Sequence, residues 1–130
     1  MIAEIHTLAE YEAELAKPGL AVLDFYSPHC GPCHVIAPLY SKIAEDQSSV
    51  RFYKVYIIFI VRRMPVLMQH LQVNGLDEAG SEVQKKAEVT WWPTLVVYKD
   101  GKEIWRDRVP NPPSSKPLES LEYYLKTVVA

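Results

Sequence analysis

The stretch Ser27–Pro38, SPHCGPCHVIAP, decides the fold, and by itself it admits three readings. Cys30-x-x-Cys33-His34 has the spacing of covalent haem attachment. The same two cysteines form a dithiol redox pair. With His29 and His34 beside them they also make a plausible metal nest. The residues on either side have to choose.

Immediately upstream, LAVLDFY (Leu20–Tyr26) is a nearly unbroken apolar run of strand length, which predicts a strand buried on both faces of a parallel sheet. One charge, Asp24, interrupts it. Downstream, PCHVIAPLYSKIAED predicts a helix over Pro32–Asp46, with Val35, Ile36, Leu39, Tyr40 and Ile43 turned inward and Pro38 kinking it. The cysteine pair therefore falls where a buried strand turns into a helix.

Further out, IAEIH alternates apolar and polar residues as a short first strand. TLAEYEAELAK has helical spacing at Leu8, Tyr11 and Leu15, with Thr7 as its cap and Pro18-Gly19 as its stop. Val50–Val55 has strand character, and Glu82–Val89 reads as a short amphipathic helix. TLVVYKDGKEIWRDRV is a hairpin turning at KDG. NPPSS is a loop, and KPLESLEYYLKTVV closes the chain as a helix with Leu118, Leu121, Tyr124, Leu125 and Val128 on one side. The order β-α-β-α-β, then α-β-β-α, predicts an α/β fold with a mixed sheet covered by helices.

A chain of 130 residues suits one domain, here expected to span 1–130. An apolar fraction of 48%, a charged fraction of 23% and a net charge of −2 are ordinary for a soluble protein, with no electrostatic footprint for nucleic acid or an anionic membrane. The opening MIAEIHTLAEYEAELAK lacks a long apolar run, so neither a secretory signal nor a transit peptide is expected and the expected compartment is cytoplasmic. In a reducing compartment, C-x-x-C is catalytic or metal-binding more often than a structural staple.

At this point the chain resembles the thioredoxin family. VLDFYSPHCGPCHVIAP matches the family's buried strand, C-G-P-C motif and proline-kinked helix, and WWPTLVVYKDGKEI matches the segment bearing its cis-proline and hairpin. The match spans nearly everything except about 55–72. It implies a thioredoxin-like three-layer sandwich and a thiol-disulfide oxidoreductase that reduces protein disulfides. In that role Cys30 attacks the substrate disulfide, Cys33 resolves the mixed disulfide, and Pro93, in cis, presses against the pair. A thiolate is the attacking species, and a helix N-terminus acidifies a cysteine placed there. Gly31 and Pro32 keep the connection tight and start the helix. Asp24 matches the family's buried aspartate, which manages the proton of the resolving cysteine, and burial is expected to raise its pKa. Lys54 matches the lysine that pairs with it. No bound cofactor is implied beyond the redox-active disulfide, with electrons reaching it indirectly from NADPH through thioredoxin reductase.

The other readings weaken beside this one. Haem would need His34 as axial ligand, a methionine such as Met64 or Met68 opposite, and export, for which no signal is seen. The two histidines and two cysteines are zinc ligands by type, but their spacing is poor for one tetrahedral site within a monomer. A cluster shared between two chains stays open.

Four residues depart from the family pattern. His29 and His34 stand where Trp and a basic residue are usual. When protonated they are expected to stabilise the Cys30 thiolate, raise the reduction potential and weaken the protein as a reductant below about pH 6.5. Trp92 replaces a mid-sized residue whose backbone pairs with the substrate strand in thioredoxins, and is expected to reshape that groove. Pro110 replaces a glycine at a place that contacts partners. Trp91 reads as packing.

Residues 55–72, VYIIFIVRRMPVLMQHLQ, interrupt the family pattern, and their apolar run is too short to span a membrane. They read either as an added docking element or, preferably, as a retained short intron whose deletion restores YKVNGLDEAGSEV. A strand-prone insertion predicts an exposed apolar patch and self-association of an otherwise monomeric protein. The alternative function is a thioredoxin-fold adaptor with a weak or vestigial dithiol. Whether an active dithiol serves as reductant, oxidant or isomerase depends on its potential.

Overall fold

In the computed structural model, residues 2–27, 30–56 and 76–129 are described. Within them the elements run β1 (Ile2–Ile5), α1 (Leu8–Leu15), β2 (Leu20–Tyr26), α2 (Gly31–Asp46), β3 (Arg51–Tyr56), α3 (Leu76–Ala87), β4 (Thr94–Lys99), β5 (Lys102–Arg108) and α4 (Glu119–Val129). The strands form one mixed sheet in the order β1-β3-β2-β4-β5. β3 is parallel to both β1 and β2, while β4 is antiparallel to β2 and β5 to β4.

The period of two along a strand divides the core between the two faces. Leu23, Phe25, Val55 and Val96 pack with Tyr11 of α1 and Val83 of α3. Val22, Phe52, Leu95 and Val97 pack on the other face with Ile36, Tyr40 and Ile43 of α2 and Leu121 and Leu125 of α4. This is the expected three-layer α/β sandwich. β2 is apolar at almost every position because both its faces are covered, and Asp24 lies on the α2 side.

Several boundaries differ from the sequence reading. In α2, Val35 and Leu39 were expected to face inward but are 49% and 39% exposed. A helix turns about 100° per residue, so Val35 and Leu39 sit one step round from Ile36 and Tyr40, at the edge of the stripe that meets the sheet. The stripe Ile36, Tyr40, Ile43 reaches the core, and Val35 and Leu39 lie beside it. α3 starts earlier than Glu82 and stops at Ala87, before Val89. There Glu88 takes a positive φ of 55°, and the Arg106 guanidinium donates to the carbonyls of Ala87 and Glu88 at 2.6 and 2.8 Å.

β3 runs through Val55 and Tyr56, which pair with Phe25 and Tyr26 of β2. Those two residues belong to the sheet rather than to an interruption, and the side chain of Val55 is fully buried. Residues 57–72 lie outside the described residues.

The hairpin turn packs back on α1. Gly101 has φ +81°, and a Cβ there would sit 2.6 Å from the Leu15 carbonyl oxygen. Gly101→Ala is therefore expected to lower the unfolding free energy by about 1–3 kcal/mol, measured by urea denaturation.

Candidate active site

β2 ends at Tyr26, and α2 begins five residues later. Cys30 is the N-cap of α2, with the extended backbone of a cap (φ −103°, ψ 111°). Its Sγ accepts a hydrogen bond from the Cys33 N–H at 3.2 Å. A sulfur in that place faces an unpaired helical N–H and the positive end of the helix dipole, both of which favour a thiolate. Gly31 and Pro32 occupy the first two helical positions, where a missing N–H costs no intrahelical bond. A Cβ on Gly31 would meet nothing within 4 Å, so packing in this state does not demand glycine there.

Cys30 and Cys33 are joined in a disulfide with a Cα–Cα distance of 5.2 Å. Cys33 is 6% exposed and Cys30 is half-buried, so an incoming group meets Cys30 first.

The Trp92–Pro93 peptide bond is cis, as the resemblance implied, and Pro93 is buried. The Trp92 carbonyl oxygen lies 3.6 Å from the Cys30 Sγ, so a segment 62 residues distant is brought against the dithiol. The Trp92 indole, expected to reshape the groove, packs in part against the core cluster beneath α1 and α3. What Trp92 sets beside the dithiol is its backbone. Trp91 donates its indole N–H to the Val109 carbonyl at 2.8 Å and stacks with the Arg108 guanidinium at 5.8 Å, so its packing role is that of a partly exposed ring. Val109 in turn donates its N–H to the Pro93 carbonyl at 3.1 Å, which ties the β5–α4 connection to the cis-proline. Pro110, next in sequence, is exposed.

Asp24 is 1% exposed, and its Oδ1 has no hydrogen-bond partner among the described residues. Burial pushes its pKa up to about 7, against the downward pull of Lys54. Lys54 is the Cα partner of Asp24 across β2 and β3. Its ammonium, expected to pair with Asp24, instead stands 4.4 Å from the centre of the Tyr26 ring. It acts on Asp24 through its field, since among the described residues Lys54 forms no contact ion pair.

His34 lies exposed on the first turn of α2, its N–H directed to the Cys30 carbonyl at 3.4 Å. His29 is outside the described residues. Tyr26 is the residue that sequence reading passed over. Its only sequence signal was a position two beyond Asp24 on one strand, hence on the same face.

The chain matches the Thioredoxin family model over residues 3–120. The chain belongs to the thioredoxin family. It is 37% identical to Thioredoxin-2 of Saccharomyces cerevisiae over 117 residues, covering 89% of this chain and 93% of the relative. With Thioredoxin-1 of the same yeast the identity is 33% over 116 residues, covering 89% and 93%. Among solved structures, thioredoxin from Trypanosoma brucei brucei superposes with a TM-score of 0.73 at 20% identity, covering 99% of this chain and 91% of that one. Mitochondrial thioredoxin 3 from S. cerevisiae gives 0.69 at 25% identity, covering 97% and 94%. Membership makes the protein a thiol-disulfide oxidoreductase with a redox-active cysteine pair. No helix among the described residues is long and apolar enough to cross a membrane.

Proposed function

We propose that this thioredoxin-family chain reduces protein disulfides through Cys30 and Cys33. The observation that carries the reading is the inequality of the two sulfurs: Cys30 is half-exposed at a helix cap, and Cys33 is buried one turn inside the same helix. In the reduced protein the Cys30 thiolate attacks one sulfur of the substrate disulfide. That S–S bond breaks, a mixed disulfide forms, and the first substrate thiolate leaves. Cys33, giving its proton to the ionised Asp24, then attacks the Cys30 Sγ, forms the intramolecular disulfide and releases the second substrate thiolate. Two electrons pass to the substrate, whose two thiolates take up protons.

Pro93 and the Trp92 backbone shape the substrate-facing side, with Pro110 at its rim. His29 and His34 tune the potential. Thioredoxin reductase, drawing on NADPH, restores the dithiol, and the reaction runs in the cytoplasm without a bound cofactor. Dithiothreitol-driven reduction of insulin is the test. Turnover well above the dithiothreitol background is expected from the full chain. No turnover from either the full chain or a variant lacking 55–72 would overturn the reading and favour an adaptor role.

A further inference from the structure

Lys54 stands between two carboxylates. Its Cα partners are Glu4 on β1 and Asp24 on β2, so all three side chains leave the sheet on one face, the face covered by α2. Glu4 is exposed and Asp24 is buried. An ammonium free to choose pairs more readily with the exposed carboxylate, where less water has to be stripped from both charges.

The observed ammonium pairs with neither carboxylate in contact. The ammonium rests 4.4 Å from the Tyr26 ring centre, and Tyr26 follows Asp24 by two residues on β2. The Tyr26 hydroxyl donates to Glu4 Oε1 at 3.0 Å, and the ring packs edge-on against Tyr56 with centroids 5.5 Å apart. The other oxygen of Glu4 lies 3.6 Å from His6 Nε2. Both Glu4 oxygens thus face groups other than Lys54.

We propose that Tyr26 is a positioning residue of the dithiol reaction: its ring holds the Lys54 ammonium on the Asp24 side of β3, while its hydroxyl occupies the competing carboxylate of Glu4. The inference rests on the role proposed above for Asp24, whose readiness to accept a proton depends on the nearest cation. The titratable and charged groups facing this row are Glu4 and His6 from the β1 side, Tyr26 and Asp24 on β2, Lys54 and Tyr56 on β3, and Tyr40 from α2, Cys33 being tied up in the disulfide. The Tyr40 hydroxyl is committed to the Val22 and Tyr53 carbonyls at 3.1 and 2.7 Å. β4 places the apolar Leu95 beside Asp24, and α4 turns Leu121 and Leu125 to this face.

Titration of the Asp24 side-chain carboxyl by carbon-13 NMR in the oxidised protein tests this without requiring turnover. Tyr26→Phe keeps the ring and frees Glu4, so Lys54 becomes shared and the Asp24 midpoint is expected to rise by roughly half a pH unit or more. Adding Glu4→Gln to Tyr26→Phe removes the competitor and is expected to return the midpoint to the wild-type value. In a Lys54→Met background, Tyr26→Phe is expected to leave the midpoint where it stands. An unchanged midpoint in Tyr26→Phe with Lys54 present, or an equal rise with and without Lys54, would overturn the proposal. Failure of the parent reading is separable, because it would appear as an inactive wild-type protein whose Asp24 titration still responds to Lys54.

Discussion

Cys33→Ser is expected to turn the protein from a turnover catalyst into one that stays covalently attached to its substrates. The variant keeps Cys30 at the cap of α2, half-exposed and facing the N–H of residue 33, so the first exchange proceeds. What disappears is the buried sulfur that stands one turn away, with its Cα 5.2 Å from that of Cys30. Holding two reactants in such proximity speeds their reaction by many orders of magnitude over the same step between separate molecules. Release of the mixed disulfide should therefore slow by roughly a hundredfold or more. Insulin turnover falls to background, and nonreducing electrophoresis shows an adduct that dithiothreitol dissolves. Cys30→Ser loses turnover as well but forms no adduct. An adduct through Cys33 in that variant would reverse the assigned roles.

Asp24→Asn is expected to stabilise the oxidised protein at alkaline pH and to impair its chemistry. The folded-state pKa of Asp24 is about 7, raised by burial from an ordinary 3.8. Between those two values the folded protein holds a proton that the unfolded chain has released. The contribution of Asp24 to stability therefore falls as pH rises from 3.8 to 7 and is level beyond either limit. A gap of about three pH units corresponds to roughly 4 kcal/mol, fully lost above the folded pKa. Asparagine removes that slope. At pH 8 the variant should unfold roughly 10 °C above the wild type, and at pH 4, where the aspartic acid is itself neutral, the two should nearly coincide. Parallel stability profiles across this range would show that Asp24 is not the buried acid described. The cost is loss of the proton acceptor proposed for Cys33, so resolution of the mixed disulfide should slow near neutral pH.

What could be read from the sequence was whatever one strand or one turn carries by itself. Leu20–Tyr26 announces its two-sided burial by being apolar at almost every position, and the cysteines follow it directly. The inward face of α2 was drawn too wide, because neighbouring apolar residues such as Val35 and Ile36 look alike until a sheet selects one of them. The end of β3 was hidden for a related reason: Val55 and Tyr56 begin a longer apolar run, and only pairing with Phe25 and Tyr26 assigns them to the sheet. The placement of Lys54 was the least legible. It depends on residues 4, 26 and 54 meeting across three strands, and no local pattern records that meeting. The contact of the Trp92 carbonyl with Cys30 is equally remote in sequence, and the family resemblance implied only that the neighbouring Pro93 presses against the pair.

The anchoring of β3 and α3 has a consequence for how this chain tolerates change in length. β3 is held by β1 on one side and β2 on the other. α3 is held by buried Val83 and Ala87, and at its end by the Arg106 guanidinium. Both anchors lie within the described residues, to either side of the junction. The cost of connecting two fixed points grows only with the logarithm of the connecting length, about 0.6 kcal/mol for each doubling. The junction between β3 and α3 is therefore a place where segments can be gained or lost over generations while the dithiol site, built on β2, α2 and β4, is inherited intact.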